Sequence, residues 1–144
     1  MNKIQMGRVV VGGVLAGLIM NVSEFLLHGV VLAGDGQKLM DDWNQRGLSI
    51  QPDAMMLVWL VLITFALGFL AVWTYAAIRP RFGAGPKTAI CAGLAVWAMS
   101  YLYAGVYVYA GIVILPAKLA WFPVVWGLIE VPLATLAGAG LYKE

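Results

Sequence analysis

The chain has 144 residues, 62% of them hydrophobic and only 11% charged, with a net charge of +2. A soluble domain carries roughly a quarter charged residues, so this composition excludes an ordinary water-soluble enzyme or a nucleic-acid-binding module. A membrane span needs about 20 mostly apolar residues; the chain offers four such stretches and little else, which predicts an all-α integral membrane protein, a single transmembrane domain over residues 1–144 folded as an antiparallel four-helix bundle.

The first stretch runs over 9–33. Lys3 and Arg8 ahead of it, and the small-residue pattern Val31-Leu32-Ala33 at its end, have the outline of a cleaved signal peptide. The apolar core of such a peptide has roughly 7–15 residues, whereas this one is longer and contains Glu24 and His28, so it is read as a span. At 100° per residue, Gly13, Gly17, Asn21, Glu24 and His28 fall within a sector about 80° wide, opposite Leu15, Ile19, Val22 and Leu26. Faces with small residues four apart are where membrane helices pack closely. Glu24 and the only histidine, His28, are therefore expected to point into the bundle or into a neighbouring subunit.

The connector 35–53 reads as a short amphipathic helix at the membrane surface. Asp35 is the expected N-cap, Leu39, Met40 and Trp43 form its apolar face, and Gly47 ends it in a left-handed conformation. Trp43 is the expected interfacial anchor; the alternative for this segment is a docking surface for an external partner.

The second stretch, 54–78, offers Thr64, Gly68, Ala71 and Tyr75 on one face. Between it and the third lies Arg79-Pro-Arg-Phe-Gly-Ala-Gly-Pro-Lys87, read as a tight turn punctuated by Pro80 and Pro86, whose cations touch anionic head groups. The third stretch, 88–110, presents Gly93, Trp97, Ser100, Ala104 and Tyr107. Its tyrosines at 101, 103, 107 and 109, like Trp59, Trp73, Trp121 and Trp126, are expected to be mostly interfacial belt residues; four tyrosines exceed what a belt requires, and the alternative is a subunit contact or a flat cofactor. Cys91, the single cysteine, allows no internal disulfide and is expected to be a small buried hydrophobe. The fourth stretch, 119–141, aligns Gly127, Glu130, Ala134 and Gly138, and Pro132 removes a backbone donor beside Glu130 and should kink the helix there. Gly13, Gly17, Gly68, Gly93, Gly127 and Gly138 are the expected close-packing positions. Ala16-Gly-Leu18 recurs as Ala92-Gly-Leu94, and Gly29-Val30 as Gly105-Val106 at the same offset, an echo suggesting a duplicated helical hairpin.

Lysines and arginines in short loops set orientation. Lys3, Arg8, Arg79, Arg81, Lys87 and Lys143 fall on one side, Lys38, Arg46 and Lys118 on the other, so both termini should face the cytoplasm.

Asn21, Glu24, His28 and Glu130 thus make an intramembrane polar stripe, with Glu130 near the middle of its span, Glu24 nearer the outer surface and His28 one turn beyond. No lysine or arginine lies deep in a span to offset a carboxylate, which is very costly in hydrocarbon. Three roles compete. The carboxyls donate hydrogen bonds between helices; they mark an ion or proton path; or they ligate, Glu24 and His28 with Glu130 holding a divalent metal, or His28 alone a macrocycle.

With Asn21-Val-Ser-Glu24, His28-Gly-Val-Val-Leu32, Trp43 before Gly47, and Tyr75-Ala-Ala-Ile-Arg-Pro-Arg-Phe-Gly83, the chain resembles a set of small bacterial four-span inner-membrane proteins of unknown function. That resemblance implies bacterial origin and the four-span architecture, and no activity. The expected role is non-enzymatic: an interaction or accessory protein of the lipid bilayer, as a homo-oligomer or as a small subunit of a larger membrane complex such as a photosynthetic or respiratory one, with no resident cofactor or metal and no nucleic-acid partner. The alternative is a small ion, proton or solute transporter or channel using the stripe.

Overall fold

The computed structural model describes residues 4–48, 53–112 and 115–142. Lys3 and Lys143 of the orientation count, and residues 49–52 of the first connector, lie outside the described residues. Helix α1 (Met6–Leu26) continues through a π-helical turn, Leu27–Val31, and α2 (Ala33–Gln45) starts after a single bent residue, Leu32. Helix α3 covers Ala54–Phe82. The third apolar helix is composite: α4 (Pro86–Trp97), a π turn (Ala98–Leu102), α5 (Tyr103–Tyr107) and a second π turn (Val108–Ile112) bent at Gly111. Helix α6 (Ala117–Gly140) runs through Pro123 and Pro132 as one element. Four helices, Met6–Val31, Ala54–Phe82, Pro86–Gly111 and Ala117–Gly140, are long and apolar enough to cross a membrane, and no strand occurs among the described residues.

Two local expectations are corrected. Asp35 does not cap α2, which starts at Ala33 with Leu32 before it; the chain leaves α1 through the π turn with no break long enough to need a polar cap. The turn after α3 is shorter than Pro80 suggested, because Pro80 sits inside the helix. Only Gly83 and Gly85, both at positive φ, reverse the chain before Pro86 opens α4 at a first-turn position where the missing N–H costs nothing. Gly47 does adopt the left-handed conformation, and the Leu48 N–H donates to the Trp43 carbonyl at 2.9 Å, the six-to-one bond of a Schellman ending.

The helices pack as a bundle that is tight where the N- and C-terminal segments meet. There Val9, Tyr75, Ala76, Ala89, Ala92, Ala139 and Tyr142 form one buried cluster, and Ala16, Met20, Ala71, Val72, Val96, Val131 and Ala134 form the next. Small residues let backbones touch, gaining dispersion contacts that lipid tails cannot match. A Cβ at Gly68 would fall on the Gly17 and Gly13 backbone, one at Gly93 on the Pro132 backbone, and one at Gly138 on the Gly12 carbonyl; Gly13 and Gly17 each seat a phenylalanine of α3, Phe69 and Phe65. Gly17 and Gly93, equivalent in the sequence echo, thus each meet another apolar helix at close range. Toward the other end the packing stops: Met55 through Ile63 on α3 are each at least 45% exposed, with no buried side to the helix. Cys91 is exposed as well, not buried as expected.

Candidate functional site: a carboxyl pair bridged by a tyrosine

The site forms where the tight packing ends. Helix α1 buries a face centred on Ala16, Met20 and Leu27, so Ser23 and Glu24 lie on either side of that line and both reach the neighbouring helices. On the third helix, Ser100 donates its hydroxyl to the Val96 carbonyl at 2.7 Å within the π turn; such capture of a carbonyl four residues back loosens the helical ladder. The extra residue of the turn rotates the remainder of the helix by about 100°. The inward series becomes Gly93, Trp97, Tyr101 and Gly105, while Ala104 and Tyr107, expected on the packed face, are exposed. Gly127 of α6 then seats the Tyr101 ring, since a Cβ there would lie 2.7 Å from Cδ1. Trp97 fixes the same pair of helices by donating Nε1–H to the Val124 carbonyl at 2.8 Å.

These placements produce one continuous chain of polar groups. Trp126 Nε1–H donates to Ser23 Oγ at 2.8 Å, and Ser23 donates to Glu130 Oε2 at 2.8 Å. Tyr101 Oη donates to Glu24 Oε1 at 2.5 Å and lies 3.5 Å from Glu130 Oε1. Glu24 Oε2 is 3.0 Å from His28 Nδ1, whose side chain is 58% exposed. Glu130 is 6% exposed. The chain therefore runs from a buried carboxyl to an exposed imidazole through three apolar helices, and buried polar atoms that find partners in this way avoid the cost of lost hydration.

Of the sequence-predicted stripe, the structure brings together Glu24, His28 and Glu130 and leaves out Asn21. Asn21 Nδ2 donates to the Gly17 carbonyl at 2.8 Å and reaches the Val61 carbonyl at 3.5 Å, facing α3. His28 does not point into the bundle: on α1 it lies about a right angle from the buried centre, because the apolar Met20 and Leu27 occupy that centre. Glu24, His28 and Glu130 do not form a three-ligand metal group, and none exists among the described residues. Three members of the site escape sequence reasoning. Ser23 sits inside Asn21-Val-Ser-Glu24 but off the stripe's sector, Trp126 looks like an interfacial belt residue, and Tyr101 is hidden by the π turn. The remaining tyrosines of the third helix are exposed, with Tyr103 stacked on Tyr107 at 5.8 Å and Tyr109 tilted against Trp121 at 5.3 Å.

A second, exposed feature joins α2 to α6. Lys118 Nζ lies 2.5 Å from Asp35 Oδ2, beside a cavity of about 310 Å³ lined in part by Lys38, Leu39 and Leu119. Lys118 holds the Asp35 carboxyl below the usual aspartate range. Trp43 is half-buried on the same helix. No family model, no curated protein and no solved structure matches this chain.

Proposed function

We propose that this chain is a multi-pass protein of the bacterial inner membrane, an antiparallel four-helix bundle with both termini cytoplasmic, that acts without catalysis as an interaction or accessory component, either self-associated or as a small subunit of a larger membrane complex. The observation that carries the reading is the contrast between its two ends. At the terminal end the buried Thr88 and Thr135 each donate to a carbonyl of their own or the adjoining segment, Gly83 and Val131, and the hydroxyls of the buried Tyr75 and Tyr142 accept from the backbone N–H groups of Gly85 and Gln5. Among the described residues, no polar chain continues from Glu130 through that packed half. At the other end α3 keeps Met55–Ile63 uncovered, apolar surface that serves lipid and partner helices alike. The test is native mass spectrometry of the untagged protein extracted from its own membrane in mild detergent: a heteromer or homo-oligomer is expected, and a bare monomer overturns the reading.

A second reading, a small ion, proton or solute transporter, is favoured by the polar chain from Glu130 to His28. Glu24→Gln with Glu130→Gln tests it in proteoliposomes. Loss of a measured ion flux with assembly intact would move the assignment to transport.

A further inference from the structure

Hydrogen-bond donors and acceptors in the polar chain can be counted one by one. Trp126 brings one proton, which goes to Ser23; Ser23 brings one, which goes to Glu130 Oε2; Tyr101 brings one, which goes to Glu24 Oε1. His28 Nδ1 lies 3.0 Å from Glu24 Oε2 and 3.2 Å from the Glu24 carbonyl oxygen, so a proton on Nδ1 is taken up by Glu24. A tyrosine hydroxyl carries a single proton, so the 3.5 Å approach of Tyr101 Oη to Glu130 Oε1 is left as two oxygens facing each other with no hydrogen between them. A hydrogen on Glu130 Oε1, donated to Tyr101 Oη, completes the network.

Charge balance is compatible with the same count. The ionisable groups that face one another here are Glu24 and His28 on α1, Tyr101 on the third helix and Glu130 on α6; α3 contributes none, since 54–74 contains no ionisable residue. Of the flanking charges, Asp35 at the start of α2 and Lys118 at the start of α6 are paired with each other. With His28 as the imidazolium, one carboxylate and one carboxylic acid sum to zero, the balance favoured for a site without lysine or arginine inside an apolar bundle.

We propose that Glu24, Tyr101 and Glu130 form a proton-binding site in which two carboxyls share one proton across the tyrosine hydroxyl. In one arrangement Glu130 Oε1–H donates to Tyr101 Oη, which donates to Glu24 Oε1. In the other, the proton on Glu130 has moved to Oη while the tyrosine's own proton has moved to Glu24 Oε1, so that Glu24 donates to Oη and Oη to Glu130; the number of protons is unchanged and no co-reactant is needed. The exposed His28 imidazole connects this pair to one surface of the bundle, while the packed small residues beyond Glu130 close the other. The site is therefore connected for proton exchange through His28 and closed through the packed half, as a store or sensor.

The proposal goes beyond the accessory role and is tested separately from it. Infrared spectroscopy of the full-length protein in phospholipid vesicles at neutral pH reads the carbonyl stretch of protonated carboxyls, with glutamate isotope labelling to exclude aspartates. One protonated glutamate per chain is expected. Glu130→Gln should abolish the band, because Glu24 remains as a carboxylate opposite His28, and Tyr101→Phe should keep one band at a shifted position, having removed its bridging partner. A wild-type count of zero or two, or a band unmoved in Tyr101→Phe, overturns the proposal. The wild-type count decides by itself if a variant fails to fold, and it does so whatever oligomer mass spectrometry finds.

Discussion

The two halves of the bundle are built by different physics. In the half holding the termini, glycine and alanine remove side-chain bulk until backbones meet, and the contact is steric. In the other half a single polar chain ties α1, the third helix and α6, and α3 departs with an uncovered surface. Stability and exchangeable chemistry are thus segregated along the helices: the close-packed half has no room for alternative arrangements, whereas the polar half is held by bonds that can change partners without moving the backbone.

The largest effect should come from breaking the steric half. Gly68→Val places a branched side chain against the Gly17 backbone, and overpacking of this kind costs about 3 kcal/mol; unfolding by SDS in mixed micelles should show a loss of that size or no folded protein. Gly127→Ala moves the boundary between the halves, because the new methyl group displaces the Tyr101 ring. A loss of about 2 kcal/mol is expected, together with the band shift predicted for Tyr101→Phe. If stability falls and the band stays, the glycine does not position the tyrosine.

Within the polar half, Ser23→Ala leaves the Trp126 N–H and one Glu130 oxygen without their partner. About 1 kcal/mol should be lost in the same assay, less than at either glycine, and an equal or larger loss would reverse the ranking of the two halves. The smallest effect concerns the exposed tie of α2 to α6. Asp35 is held below its usual range by Lys118, so the tie is complete above the ordinary aspartate range and is lost as pH falls through the depressed value. Hydrogen exchange corrected for pH should show α2 amides losing protection only in strong acid, or at neutral pH in Lys118→Gln. High salt should weaken the tie in the wild type while leaving the buried chain unaffected, since screening acts on exposed charges.

Hydropathy over about 20 residues is a local property, so the four apolar stretches predicted four long helices to within a few residues. Spacing alone placed Gly17, Gly68, Gly93 and Gly138 on helix faces, and a missing side chain leaves few alternatives to close approach. Glu24 and Glu130 were identifiable as site residues because a carboxyl is costly in an apolar helix wherever that helix docks. Tertiary structure decided what lay between them. The π turn at Ala98–Leu102 shifted the inward face by one residue, from Ser100 and Ala104 to Tyr101 and Gly105, which a fixed 100° period cannot anticipate. Docking also turned His28 outward and gave Ser23 and Trp126 to Glu130. Such partners are chosen by which helices meet and at what rotation, and that is settled by packing among residues more than 100 positions apart.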